Sequence, residues 1–255
     1  MKKGEYERMF QFENWYWWYQ GLHALVQTVV QSFASDGPLS ILDAGCGTGR
    51  MLEMIGDYCR TEGFDSSVDA IEWCRNRDLS HCRQIDLNRW EPESGRWDVI
   101  ISLDVLCCEG VQDDHAVLGK FHRALAAGGS LILNLPAFPF LRRNHDVAVS
   151  SVRRYRRKKV TRELEALGFR IRYAGYRLPL LFAFLLIKKP IERMLHPGRL
   201  ESDLRPLSSS LNRLLFGYHR LENSLIRRGI RFPFGSSLFL IAAKDPQRGG
   251  SRWKK

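Results

Sequence analysis

The sequence predicts an α/β protein with an open, doubly wound parallel sheet, because buried-strand and helical patterns alternate through its first 135 residues. Four of the strand patterns end in an acidic residue: Asp43, Asp65, Asp86 and Asp104. These acids are 22, 21 and 18 residues apart, the length that one strand, one helix and two turns occupy. Because the carboxyl ends of parallel strands meet at one edge of a sheet, we expect the four carboxylates to surround one crevice.

The local patterns define the individual elements of the first half. We expect five strands there, at 40–43, 62–65, 83–86, 99–104 and 131–135. Apolar residues at helical spacing lie between them, at 51–55, 68–74 and 117–126. The last of these helices is expected to end at Gly128-Gly129, since glycine is common where helices stop.

The pattern changes after Pro136. We expect Thr161 to cap a helix that runs through Leu167 and ends at Gly168. Two further strands are predicted, at 169–176 and 237–243. The predicted organisation is a helical cap at 1–37, a main domain at 38–180 and 232–245, an apolar and basic helical insert at 181–231, and a flexible tail at 246–255.

Composition favours a soluble globular protein, since 44% of the 255 residues are hydrophobic and 26% are charged. The first five residues are rich in charge and do not resemble a secretory signal. The longest uncharged apolar run, Leu178–Ile187, has ten residues and contains Pro179, whereas a bilayer-spanning helix needs about 20. We therefore expect a cytoplasmic protein that does not cross a membrane, and a peripheral position at the inner membrane surface remains open.

The six cysteines all lie in the first half of the chain. None of them forms a CxxC pair, and none has zinc-ligand spacing with a histidine. Reduced thiols are therefore expected, and no metal is predicted.

Charge divides the chain into two unlike halves. Residues 1–135 carry 12 Lys and Arg against 20 Asp and Glu, whereas residues 136–255 carry 27 against 8. The resulting charges of −8 and +19 sum to the net +11 of the whole chain. This asymmetry indicates that the second half meets an anionic partner, and nucleic acid, a phospholipid surface and a phosphorylated substrate all remain open.

The strongest local signal is the glycine-rich segment 41–50, Ile-Leu-Asp-Ala-Gly-Cys-Gly-Thr-Gly-Arg, which follows the first buried strand. Its alternating glycines allow a sharp turn and a close approach of the backbone to a ligand. Arg50 stands where a dinucleotide-binding fingerprint has its third glycine. A ligand without a pyrophosphate, bearing cations and a ribose diol, suits the strand-end carboxylates better.

With these features the chain resembles the class I S-adenosylmethionine-dependent methyltransferases. The resemblance covers about 38–135 well and extends less closely to 168–243. It implies a Rossmann-like sheet of seven strands with an antiparallel last strand, a helical insert before that strand, and S-adenosylmethionine as the cofactor. It implies no metal.

The resemblance also assigns roles to the strand ends and the loops that follow them. Asp43 and the loop would line the methionine end of the cofactor, Asp65 would accept hydrogen bonds from the ribose hydroxyls, and Asp86 would take the adenine amino group. Leu87 would pack on the adenine ring, and Leu103 and Asp104 would lie near the transferable methyl. The complete set of implied cofactor-binding residues is Asp43, Gly45, Cys46, Gly47, Gly49, Asp65, Ser66, Asp86, Leu87 and Leu103.

An aromatic segment lies near the N-terminus, with seven aromatic residues between Phe10 and Tyr19. One interpretation is that it packs a leading helix onto the sheet. The other is a lid over the crevice, as in several small-molecule methyltransferases that this chain resembles. Excluding water would favour methyl transfer, because water competes for hydrogen bonds to the nucleophile.

His145 is the predicted catalytic base. It follows the fifth strand across a loop, and the ordinary pKa of imidazole lies near neutrality. The alternative is a surface histidine in a basic loop.

The second half contains two basic features. The run 153–159 has six basic residues and one tyrosine, and it is either a solvated face or a site for phosphate or anionic lipid. The insert combines leucines at near-helical intervals with arginines, which suits either a membrane interface or a helical cap on the sheet.

The chain also resembles a bacterial subgroup of these enzymes with an aromatic start, an Arg-Arg-Tyr segment and an apolar insert. That resemblance implies a small-molecule acceptor that is lipophilic or carrier-linked. The basic run leaves a phosphorylated acceptor open as well, and with His145 as the predicted base we expect methylation at oxygen. The alternatives are an RNA methyltransferase and an inactive peripheral membrane or scaffold protein. Nucleic acid is disfavoured because Leu103-Asp104-Val105-Leu106 stands where amino-directed nucleic-acid methyltransferases carry an Asn/Asp-Pro-Pro-aromatic motif.

Overall fold

Seven strands form one sheet in the computed structural model, which describes residues 4–34, 37–195 and 205–245. The strands are β1 (Ser40–Ala44), β2 (Arg60–Asp65), β3 (Cys82–Gln84), β4 (Trp97–Leu103), β5 (Leu125–Pro136), β6 (Phe169–Arg177) and β7 (Ser237–Lys244). The helices are α1 (Glu5–Phe12), α2 (Trp17–Phe33), α3 (Arg50–Ile55), α4 (Val68–Arg75), α5 (Asp114–Ala124), α6 (Asn144–Ala148), α7 (Arg157–Ala166), α8 (Pro179–Leu195) and α9 (Ser209–Arg227).

The strand order is β3-β2-β1-β4-β5-β7-β6. The pairs β1–β2, β1–β4, β2–β3 and β4–β5 are parallel, and β7 runs antiparallel to both β5 and β6. The order reverses direction at β1 and β4, so the crevice for a ligand lies beyond the carboxyl ends of these two strands. The predicted doubly wound sheet with an antiparallel last strand is confirmed.

The buried strands have two apolar faces, as parallel strands covered on both sides do. Leu42 and Ile100 pack in a cluster with side chains of α5 and α7. Ile41 and Ile101, which are adjacent to Leu42 and Ile100 in the same strands, pack in a second cluster with side chains of α2, α3 and α9. The sheet is therefore the middle layer of three, and α2 and α9 lie together on one side of it.

Two predicted helix boundaries are wrong. The helix expected to end at Gly128-Gly129 ends at Ala124, and β5 starts at once with Leu125. The glycines serve an irregular stretch of β5: Gly128 has φ +80°, and a Cβ on Gly129 would lie 3.0 Å from the Trp97 carbonyl oxygen. The helix expected to be capped by Thr161 starts earlier, at Arg157, although Gly168 follows its end with φ +92° as predicted.

The third predicted strand, 83–86, is also placed too far along the chain. β3 ends at Gln84, and Asp86 begins a turn in which its carboxylate accepts the backbone N–H of Asn88 at 2.9 Å. Asp104 likewise lies one residue beyond β4, in the left-handed region with φ +57°. A short carboxylate side chain stabilises a turn better than it continues a strand.

The insert predicted at 181–231 contains most of α8 and all of α9. The side-chain amide of Asn212 on α9 accepts the backbone N–H of Trp17 at 2.9 Å and donates to the carbonyl of Trp15 at 2.7 Å. This contact joins α9 to the connection between α1 and α2. The predicted tail, 246–255, lies outside the described residues.

Among residues 4–34, 37–195 and 205–245, none of the helices combines the length and apolarity that crossing a bilayer requires.

Candidate functional site

The glycine-rich loop turns sharply away from β1 at the centre of the sheet edge. Gly45, Gly47 and Gly49 all have positive φ, at +94°, +55° and +81°. A Cβ on Gly45 would lie 2.2 Å from Val105 Cγ2, so no larger residue fits there without movement. The N–H groups of Gly45 and Cys46 both donate to the carbonyl of Phe64, at 2.8 and 2.9 Å. The loop is therefore held against the end of β2.

Asp65, at the carboxyl end of β2, holds the same loop from the other side. Its Oδ2 accepts the Gly47 N–H at 3.1 Å, and its Oδ1 accepts the Ser67 N–H at 3.0 Å and the Tyr6 hydroxyl at 3.1 Å. A carboxylate offers about four acceptor positions, so these three hydrogen bonds leave acceptor capacity. Burial and the Asp65 carboxylate raise the pKa of Tyr6, so its hydroxyl stays protonated.

Asp43 lies buried at the end of β1, beside the loop. Burial is the main cause that raises the pKa of its carboxyl to about 8, and the nearby Cys74 and Asp65 contribute to the same rise. A ligand cation next to Asp43 would favour the ionised form. A glycine cradle, an acid whose charge needs a cation, and a carboxylate with acceptor capacity fit S-adenosylmethionine, the cofactor that the resemblance implies.

The remaining predicted cofactor residues lie around this centre. Ser66 and Asp86 are exposed, and Leu87 is buried in the core cluster beside β4 and α5. Leu103 is the last residue of β4 and is half-buried. The structure thus brings Asp43, Asp65 and the glycine loop together and places Asp86 and Leu87 further out, past β3.

Helix α1 covers the glycine loop. A Cβ on Gly47 would lie 3.1 Å from Met9 Sδ, and the Tyr6 hydroxyl reaches Asp65. At the end of the helix the Glu13 carboxylate is buried and accepts the hydroxyl of Thr48, another residue of the loop, at 2.6 Å. Packing of the aromatic segment is observed, since Trp17 and Trp18 of α2 lie in core clusters. The contacts with the glycine loop come from Tyr6, Met9 and Glu13 instead, so the lid stays a prediction.

Sequence reasoning missed Tyr6, Glu13 and Arg77 as parts of this cover. The Arg77 guanidinium donates to Glu13 Oε1 at 2.7 Å and to the Thr48 carbonyl at 3.0 Å. It also lies over the Phe10 ring, which stacks on Trp73 with the centroids 4.4 Å apart. An acid within an aromatic segment was the only signal available, and nothing local showed its partner.

A second polar group lines the carboxyl ends of β4, β5 and β6. The Asn134 side chain donates to Asp104 Oδ2 at 2.8 Å, and its oxygen accepts from Arg177 Nη1 at 3.4 Å. Burial raises the pKa of Asp104 to about 6, although the Asn134 hydrogen bond and the Arg177 charge oppose that rise. At neutral pH the Asp104 carboxylate is therefore mostly ionised and is a stronger base than an exposed aspartate.

Arg177 is only 1% exposed, and among the described residues its Nε and Nη2 atoms have no hydrogen-bond partner. On α9 the same is true of Glu222 Oε2 and of both ring nitrogens of His219. Leaving a buried polar group unpaired costs about 1–3 kcal/mol. A polar ligand bound beside Arg177 would complete this hydrogen bonding.

His145 lies half-buried in α6, which follows a short 3-10 helix (Pro139–Leu141) after β5. Burial lowers its pKa to about 4, and the nearby Arg143 charge adds to this effect. The imidazole is thus neutral at pH 7 and chemically able to accept a proton. Its role as the base stays a prediction.

Part of the basic run 153–159 serves the fold. Arg154 forms a bidentate pair with the buried Asp146 of α6, at 2.8 and 3.0 Å. Arg153 donates to the carbonyls of Cys108 and Gln112, at 3.2 and 3.0 Å. The exposed members of the run are Arg156, Lys158 and Lys159.

Comparison with known proteins identifies one family and many solved structures with a similar fold. A family model for a methyltransferase domain matches residues 17–174, more than half of the chain. No curated protein matches the chain in sequence at a significant level.

Solved structures resemble the chain at low identity. A methyltransferase from Archaeoglobus fulgidus that depends on S-adenosylmethionine has a TM-score of 0.55 and 16% identity, over 87% of this chain and 94% of that one. One from Mesorhizobium loti has a TM-score of 0.54 and 16% identity, over 81% and 91%. A Haemonchus contortus N-methyltransferase bound to phosphomonomethylethanolamine and S-adenosylhomocysteine has a TM-score of 0.54 and 18% identity, over 90% of this chain and 53% of that one. At these identities the likeness shows the fold.

Proposed function

The chain belongs to the methyltransferase-domain family, and we propose that this enzyme methylates an oxygen atom of a small-molecule acceptor with an anionic group and a lipophilic part. Its cofactor is S-adenosylmethionine, which when bound supplies a methyl group already activated by a sulfonium. The protein must therefore align the acceptor, exclude water and remove a proton. Asp43, Asp65 and the glycine loop would hold the cofactor, with α1 covering it.

Two groups are candidates to take the hydroxyl proton. His145 is the base predicted from the sequence, and its imidazole is neutral at pH 7. Asp104 lies next to the end of β4, where the resemblance puts the transferable methyl, and its pKa is raised to about 6. An acceptor hydroxyl would donate to one of these groups and become a better nucleophile as the proton moves onto the carboxylate or imidazole.

The buried guanidinium of Arg177 is the main support for an anionic group on the proposed acceptor. A buried guanidinium with unpaired Nε and Nη2 donors suits a bidentate carboxylate or phosphate. The side chain of Asn134 forms hydrogen bonds with both Arg177 and Asp104. An acceptor held by Arg177 would thus present a neighbouring hydroxyl towards the end of β4. The phosphorylated amine named for the Haemonchus contortus structure is an anionic small molecule of the same general kind.

The test is an acceptor screen with methyl-labelled S-adenosylmethionine and separate organic-phase and aqueous cell extracts. We expect a labelled product that an anion exchanger retains. Arg177→Met should reduce labelling about 100-fold, which corresponds to about 2.7 kcal/mol, with cofactor binding by calorimetry unchanged. Arg172→Met is the matched control, because Arg172 is on the same strand but exposed.

Four results would contradict the proposal. An uncharged product or full labelling by Arg177→Met would exclude the anionic acceptor. Label lost on nuclease treatment would identify the enzyme as an RNA methyltransferase. Absence of cofactor binding would favour an inactive scaffold.

Exposed apolar side chains on α8 and α9 are the evidence for a lipophilic part of the acceptor. Leu214 is 70% exposed and Leu221 is 62% exposed, one above the other on α9, and on α8 Phe184 and Ile187 are also exposed. Arg213 and Arg220 flank the two leucines. Exposed apolar side chains beside cations are typical of a surface that contacts anionic lipid. We infer that this surface rests on an anionic membrane that holds the acceptor.

Flotation with vesicles of phosphatidylglycerol and phosphatidylcholine measures this contact. The double variant Leu214→Glu with Leu221→Glu should bind at least tenfold more weakly, a loss of about 1.4 kcal/mol or more. Val68→Glu is the control, since Val68 is 52% exposed on α4, beside β3 at the opposite edge of the sheet. Equal binding by the double variant, or equal binding to vesicles without phosphatidylglycerol, would contradict the inference.

A further inference from the structure

Three of the cysteines converge beneath the glycine-rich loop. Cys46 belongs to the loop, Cys74 to α4 and Cys82 to β3, and their Sγ atoms all lie within 4.8 Å of one another. All three are buried, in a small cluster with Leu52 and Ile71. Their separations along the chain gave no sign of this, because each thiol is supplied by a different element.

A fourth donor atom lies next to two of these sulfurs. The Gly47 carbonyl oxygen is 3.3 Å from Cys74 Sγ and 4.0 Å from Cys46 Sγ, and these two sulfurs are 3.9 Å apart. Around a tetrahedral zinc ion, bond lengths of about 2.3 Å to sulfur and about 2.1 Å to oxygen place sulfur pairs about 3.8 Å apart and sulfur–oxygen pairs about 3.6 Å apart. The atoms present are therefore within a few tenths of an ångström of a coordination tetrahedron on three edges.

We propose that Cys46, Cys74 and Cys82, with the Gly47 carbonyl, form a structural site for a thiophilic divalent d10 cation of the Zn²⁺ type. On binding, the three thiols release their protons to solvent and the sulfurs become thiolate ligands. Three thiolates and one divalent ion leave a single net negative charge, which a buried site tolerates better than three separate thiolates. Four protein ligands leave no open position, which is typical of a structural zinc site rather than a catalytic one.

Cation binding at this site would fix the glycine-rich loop that follows β1. Gly47 donates its N–H to Asp65 while its carbonyl would ligate the ion, so the peptide units on both sides of the Gly47 Cα would be fixed. Cation binding should therefore raise the thermal stability of the loop and of its attachment to α4 and β3. This inference does not depend on the acceptor or on catalysis.

Cobalt(II) is the probe, added to full-length protein that has been reduced and treated with a chelator. Tetrahedral thiolate coordination gives cobalt(II) intense charge-transfer and visible bands, and we expect one equivalent per chain, displaced by Zn²⁺. Cys74→Ser and Cys82→Ser should each lose the charge-transfer band. Cys59→Ser is the matched control, because Cys59 is buried outside the cluster.

Peptide mapping keeps the proposal testable if a serine variant does not fold. In the unaltered protein Zn²⁺ should protect Cys46, Cys74 and Cys82 together from alkylation, and a chelator should remove that protection. Absence of the bands, bands retained by both serine variants, or protection that does not include all three cysteines would overturn the proposal. The three thiols would then be apolar packing only.

Discussion

Asp65→Asn is expected to weaken binding of S-adenosylmethionine about 100-fold. A hydrogen bond to a charged group contributes about 1.5–3 kcal/mol. Loss of one proposed ribose hydrogen bond, at the acceptor position of Asp65 that its three protein partners leave, is therefore enough for the about 2.7 kcal/mol that this factor requires. The substitution keeps the shape of the side chain but replaces one acceptor oxygen by an amide donor. That donor would face the Gly47 N–H or the Ser67 N–H, both of which need an acceptor. Calorimetry measures the change.

The control separates loss of the site from loss of the fold. Asp57→Asn alters an exposed carboxylate in the turn after α3 and should leave affinity unchanged. Tyr6→Phe removes only the contact between α1 and Asp65, so its affinity reports the contribution of the cover. If Asp65→Asn stays folded by circular dichroism and binds within threefold of the original protein, the proposed role of Asp65 is excluded.

Those parts of the fold that local sequence controls could be predicted. A buried strand, a glycine turn and an acid within a few residues define β1 and the loop, because backbone freedom and burial are properties of the segment itself. The same locality explains the errors. Gly128-Gly129 was taken as the end of a helix, yet those glycines are used within β5 opposite Trp97. Glycine permits several conformations, and the sheet selects among them.

The second polar group could not be predicted because it depends on contacts between residues that are distant along the chain. Asn134 is 30 residues from Asp104 and 43 from Arg177 along the chain, and only the strand order brings their side chains into contact. An asparagine within an apolar strand and an arginine at the end of another are weak signals separately. The thiol cluster and the Glu13–Arg77 pair depend on tertiary contact in the same way.

The pH dependence of kcat/KM should identify the proton acceptor. Only the deprotonated form of a base accepts a proton, so activity falls as pH drops through the pKa of that base in the free enzyme. Burial raises the pKa of Asp104 to about 6 and lowers that of His145 to about 4. If Asp104 is the base, activity at pH 5 should be about tenfold below the plateau reached above pH 7. If His145 is the base, activity at pH 5 should already be near the plateau.

Substitution of each residue completes the assignment. With Asp104 as the base, Asp104→Asn should lower kcat/KM by about 10²–10⁴-fold and abolish the fall near pH 6, whereas His145→Gln should keep that fall. The reverse pattern would assign the base to His145. Retained cofactor affinity by calorimetry shows that Asp104→Asn has not disturbed the glycine loop. Because the Asn134 amide donates to Asp104 Oδ2, Asn134→Ala should move the fall to higher pH, since a carboxylate that loses a hydrogen-bond donor has a higher pKa. A shift in that direction would distinguish a base at Asp104 from any group outside this chain of hydrogen bonds.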